Sequence, residues 1–144
     1  MAGAGEPGGT INVVRKRPTR DFQAHVETQL GSWNKRRLAG DVSGSLAEAG
    51  RVRGRAVAFA DNSDSFTDYV YYNNRGLYGV VEADVTDTTT LGASVMYQQT
   101  DFNDHYGVPF AANGTDLGLP RSRFYGASRS DGRRDGTSYT LRLE

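Results

Sequence analysis

The chain has 144 residues, 18 glycines, no cysteine, and 17 basic against 17 acidic side chains, for a formal net charge of zero. Only 28 of its residues are Leu, Ile, Val or Phe, just under the share of about 20% below which a water-soluble core is hard to assemble. Lack of cysteine excludes disulfides, thiolate metal sites and cysteine nucleophiles, and a neutral chain has no overall pull on a polyanion, so no nucleic-acid partner is expected.

Residues 3–9 read as a glycine-rich turn, followed by a short β-like run at 10–14, the basic cluster Arg15-Lys16-Arg17, and Pro18, which ends the run. A strict period of two starts at Phe22: Phe22, Ala24, Val26 and Leu30 share one face, and Gln23, His25, Glu27 and Gln29 the other. The pattern recurs with Leu38, Gly40, Val42, Gly44 and Leu46 against Ala39, Asp41, Ser43 and Ser45. A strand over 51–61 sets Ala56, Ala58 and Ala60 against Arg53, Arg55, Val57 and Phe59. Three more strands follow, carrying Leu77 to Val85, Leu91 to Tyr97, and Tyr139 to Leu143 on their apolar faces. Turns at 47–50 and 86–88 are tight, whereas long loops are expected at 62–76 and 102–136, both at the same end of the meander.

No run of 18 apolar residues exists, which excludes a transmembrane helix, yet a transmembrane strand needs only about 10 residues with every second one apolar. The polar face, with His25, Glu27, Asp41, Arg53, Arg55, Glu82, Asp84 and Arg142, suits a wet lumen. The apolar face is rich in glycine and alanine, which lipid tolerates and a dry core does not. Trp33, Tyr69, Tyr71, Tyr72 and Tyr97 sit near strand ends, as an interfacial girdle requires. The expected fold is all-β, an antiparallel up-and-down meander. Its roughly six strands are too few to close a transmembrane barrel, for which about eight is the minimum, so if the sheet is a barrel it is a partial one, about six strands of a larger barrel. The alternative is a soluble or surface-exposed antiparallel β-sheet binding module of an adhesin-like kind.

Sites for other chemistry are weak. Gly3-Ala4-Gly5-Glu6-Pro7-Gly8 fits G-x-G-x-x-G but has no strand before it and no helix after it. His25 and His105 are the two histidines, and neither has a carboxylate at ligand spacing. No nucleophile elbow or triad signature is present, so neither an enzyme nor a cofactor site is expected. The oxygen-rich 61–65 stretch lacks the glycine and terminal glutamate of a calcium loop and reads as an exposed loop. Asn113-Gly114-Thr115 reads as a surface turn.

The N-terminal phrase Gly3-Ala4-Gly5-Glu6-Pro7-Gly8-Gly9-Thr10-Ile11-Asn12-Val13-Val14-Arg15-Lys16-Arg17-Pro18-Thr19 closely resembles the end of the plug domain in TonB-dependent siderophore receptors. The resemblance continues through Gly44-Ser45-Leu46, Arg51-Val52-Arg53-Gly54-Arg55, Asp64-Ser65-Phe66, Gly107-Val108-Pro109 and Leu119-Pro120-Arg121-Ser122. It implies that residues 1–20 are the end of the plug with its linker, and that 21–144 are the first strands of a barrel of about 22 strands. Members of the family are several times longer, so this stretch is expected to be a fragment that does not transport alone. It also implies an outer-membrane location in a Gram-negative bacterium, with a ferric siderophore, the TonB complex and membrane lipid as partners. The siderophore's own oxygens wrap the iron, so no protein cofactor or metal ligand is implied. Tyr69, Tyr71, Tyr72, Arg75, Tyr106 and Arg121 are the implied ligand contacts in outward loops, and Arg15, Lys16 and Arg17 the implied contacts between plug and barrel wall.

Overall fold

The computed structural model describes residues 15–47, 50–104, 111–115, 117–126 and 130–144. The period-two segments form β1 (Gln23–Leu30), β2 (Arg36–Ser45), β3 (Val52–Asp64), β4 (Tyr71–Thr86), β5 (Thr89–Asn103) and β6 (Asp131–Leu143). They make one six-stranded sheet in the order β1-β2-β3-β4-β5-β6, with every neighbouring pair antiparallel. The glycine-rich phrase and the β-like run at 10–14 lie outside the described residues, as does Tyr106.

Register fixes the faces, because partners across a ladder share a side. Val26, Gly40, Ala58, Leu77 and Tyr97 form one row. His25, Asp41, Val57, Tyr78 and Met96 form a row on the opposite side. Among the described residues only Val70 and Val80 are buried hydrophobics, whereas Val26 is 70% exposed, Leu30 83% and Leu141 81%. The surface of 10909 Å² compares with roughly 7,300 Å² for a compact monomer of this mass. The apolar side chains therefore do not seal a dry interior. They stand on one side of an open sheet and require an apolar medium there.

The strands run further than the hydropathy pattern indicates. Tyr71 to Gly76 belong to β4, Asn62 to Asp64 to β3, Phe102 and Asn103 to β5, and Asp131 to Ser138 to β6, so the first expected long loop shrinks to 65–70 and the second loses residues at both of its ends. In these extensions both faces are polar, which hides the alternation while the backbone ladder continues. At the same end, β1 and β2 are joined by a turn in which Trp33 and Asn34 have φ of 53° and 55°, the paired left-handed conformation that suits the twist of a hairpin. Asn34 favours that conformation and Trp33 does not. The turn is held by Asp64 N donating to Trp33 O at 2.9 Å, by Asn34 Nδ2 donating to Asp64 Oδ2 at 2.6 Å, and by Phe66 edge-on to the indole at 6.4 Å.

Candidate functional site

The polar face carries two zones. Near the tight turns, residues 15–19 cross the sheet as a strap. Arg15 reaches Thr140 on β6, Tyr78 Oη on β4 donates to Lys16 O at 3.0 Å, and Thr19 N donates to Ser43 Oγ on β2 at 2.8 Å. Arg17 donates to Glu82 Oε1 and Glu144 Oε2, each at 2.9 Å, and Lys16 Nζ to Asp41 Oδ2 at 2.7 Å. Asp41 is also gripped by both arms of Arg55 at 2.8 and 2.7 Å, while Arg55 Nη1 donates to Arg17 O at 2.9 Å. Glu82, whose side chain is only 4% exposed, further faces Arg53 at 3.6 Å and Arg142 at 3.9 Å.

Planar two-pronged pairs such as Arg55 with Asp41 combine charge with fixed direction. The hydrogen bond to Glu82 raises the Arg17 guanidinium above its ordinary pKa against an opposing burial penalty, and Glu144 adds to the rise. The strap therefore meets the wall through permanent cations on carboxylates that the wall itself orients.

Towards the long-loop end the same face becomes an aromatic platform. Phe102 is stacked on Tyr72 at 6.4 Å and 12°, with the Arg134 guanidinium 5.4 Å above the Phe102 ring. Phe59 carries the Arg37 guanidinium at 5.4 Å. Two glycines make the rings lie flat. A Cβ at Gly76 would come within 2.5 Å of Phe59, and one at Gly132 within 2.6 Å of Phe102. Arg37 is itself paired with Glu27 and Asp61, each at 3.4 Å, so the cation that the platform offers beside its flat rings is Arg134, a π surface and a positive charge suited to an anionic solute.

The structure separates the implied ligand residues. Tyr72 lies on the polar face, and its hydroxyl donates to Asp104. Tyr71 and Arg75, expected in a loop, lie within β4 on the apolar-face side, Tyr71 Oη donating to Asp131 at 2.9 Å and Arg75 facing Asp101 at 3.4 Å. The aromatics read as one girdle divide in the same way: Tyr71 and Tyr97 point outward with Leu77, and Tyr72 points inward. Tyr69 in the 65–70 loop meets Phe124 edge-on at 5.8 Å, and Arg121 lies 5.4 Å over Phe66, so these two cap the sheet end. Phe59, Phe102, Arg37 and Arg134 were missed from sequence. The available signal was the cross-strand pairing of each phenylalanine with a glycine, Phe59 with Gly76 and Phe102 with Gly132.

No protein-family model matches the chain. Individual proteins do. The ferric-pyoverdine 358 receptor of Pseudomonas putida is 42% identical over 145 residues, covering 100% of this chain and 18% of that protein. The ferripyoverdine receptor of Pseudomonas aeruginosa is 45% identical over 101 residues, 70% of this chain and 12% of that protein. In structure, the ferripyoverdine receptor of the Pseudomonas aeruginosa outer membrane, bound to ferripyoverdine, superposes with a TM-score of 0.84 at 36% identity, over 98% of this chain and 19% of that one. The chain thus spans less than about a fifth of the length of the receptors it matches. Its six-stranded sheet, its exposed apolar face and these likenesses agree: the chain belongs to the outer-membrane TonB-dependent siderophore receptors, as a stretch of their β-barrel wall.

Proposed function

We propose that this stretch of wall serves a receptor that takes up a ferric siderophore across the outer membrane, and that it has no catalytic role. The observation that carries the reading is the platform of Tyr72, Phe102 and Arg134 on the wet face, at the end where Tyr69 and Arg121 cap the strands. Tyr72, Phe102 and Arg134 would contact the organic shell of the chelate, with Tyr69 and Arg121 at the capped sheet end. Tyr71 and Arg75, on the other face, are left out of this set. Residues 1–20 would be the end of the plug with its linker, fastened to the wall by Arg15, Lys16 and Arg17, with TonB acting on the plug from the periplasm. The adhesin-like alternative leaves the exposed apolar face without a partner.

The test is a full-length receptor in which this chain replaces the equivalent strands of the ferripyoverdine receptor, with ferripyoverdine as the probe. Phe102→Ala and Arg134→Ala are each expected to weaken binding by about tenfold, the loss of one ring or cation contact of about 1.4 kcal/mol. Unchanged affinity in the double variant, with the barrel folded, would remove the platform from the ligand site.

A further inference from the structure

The wet face holds a groove of about 390 Å³ between β5 and β6, within the size range of ligand sites. It spans three rungs of the ladder, Thr100 with Arg134, Gln98 with Gly136, and Met96 with Ser138, and so lies between the Phe102 platform and the strap. Its floor is bare at Gly136, where a Cβ would meet nothing within 4 Å, and the exposed Gln98 amide beside it offers both a donor and an acceptor. Asp135 borders the groove, but by parity its side chain belongs to the opposite face.

Charge singles this groove out. Arg17 of the strap and Arg37, Arg53, Arg55 and Arg142 of the wall each meet a carboxylate within 3.4 Å. The guanidinium groups at the two ends of the groove do not. Arg134 lies over the Phe102 ring, and Arg15 donates to the neutral hydroxyls of Thr140 and, at 3.4 Å, of Ser138. Among the described residues neither has a carboxylate partner. Four residues of β6 separate Arg134 from Ser138, a span of roughly 13 Å along the strand. Two unmatched cations facing water at the ends of a polar trough complement an elongated solute that carries two separated anionic groups.

We infer that the groove seats a second anionic group of the ferric chelate, held by Arg15 at the end away from the platform, so that the wall selects a chelate with two separated anions. This rests on the platform as the chelate's primary contact. The test uses the full-length receptor carrying this chain, which contributes no cysteine, with Gln98→Cys as the single thiol and folding checked by heat-modifiable electrophoretic mobility. An anionic and a cationic methanethiosulfonate, the sulfonatoethyl and trimethylammonioethyl reagents, read the local charge, and ferripyoverdine is the ligand probe. The ratio of anionic to cationic reaction rates should fall about tenfold in Arg15→Gln/Arg134→Gln and recover in Arg15→Lys/Arg134→Lys, which keeps the charges. Ferripyoverdine should slow the anionic reagent by about tenfold or more, as occupancy of the groove requires. An unchanged ratio in the folded glutamine variant would overturn the site. So would a Gln98→Cys thiol that neither reagent reaches without ligand, because the rest of the receptor would then cover the groove. Absence of protection while Phe102→Ala still weakens ferripyoverdine binding would overturn the second seat and leave the platform standing; protection in a receptor whose affinity Phe102→Ala does not change would remove the platform and leave the groove.

Discussion

Val95→Arg should cost the folded barrel about 2 to 4 kcal/mol, and Met96→Arg, one residue later, less than about 1 kcal/mol. The two side chains are almost equally exposed, at 42% and 38%, so exposure alone forecasts the same small effect for both. What separates them is the medium. Val95 pairs with Gly79 and Tyr139 on the face of Leu77 and Leu141, where a guanidinium would have hydrocarbon around it. Met96 pairs with Tyr78 and Ser138 on the face of the strap, where water and polar groups can solvate it. Urea unfolding of the full-length receptor carrying this chain, in lipid vesicles, measures both; equal costs would place water on both sides of the sheet.

The second large effect is expected at Glu82. Glu82→Gln keeps shape and volume but removes the negative charge that Arg17, Arg53 and Arg142 share. Taking one partner out of a well-buried ion pair costs about 3 to 5 kcal/mol. Arg17 is 44% exposed and screened accordingly, so about 2 to 3 kcal/mol is the appropriate scale here. The loss should be local. Hydrogen exchange at residues 15–20 should speed up by more than tenfold while β3 and β4, held by their ladders, keep their protection. Unchanged exchange in the strap would mean that Thr19 on Ser43 and Lys16 on Asp41 suffice to hold it.

How much of this was legible depends on where polarity changes. Leu77, Gly79, Val81 and Ala83 alternate with Tyr78, Val80, Glu82 and Asp84, so the face of each was fixed by parity alone. Six steps earlier the same strand reads Tyr71, Tyr72, Asn73, Asn74, where both faces meet polar surroundings. Periodicity is silent there, and the segment passed for a loop. Residues 131–138 failed for the same reason, which hid Arg134. The Phe59 and Phe102 platforms were hidden differently, since each depends on a glycine on the neighbouring strand and hence on register, which no single segment carries. Arg15, Lys16 and Arg17 stood out as a cluster. Their acceptors, Asp41 and Glu82, could be placed on the wet face but not matched to them, because the path of the strap is set by the fold.

Everything rests on the sheet having a lipid side and a water side. This chain has no cysteine, so single cysteines can be placed along β5 at each position from Leu91 to Gln98, in an otherwise cysteine-free full-length receptor carrying it. Intact cells would then be treated with a membrane-impermeant maleimide. Labelling should alternate, strong at Ser94, Met96 and Gln98 and absent at Leu91, Ala93 and Val95. Labelling at successive positions with no period of two would contradict the two-sided wall.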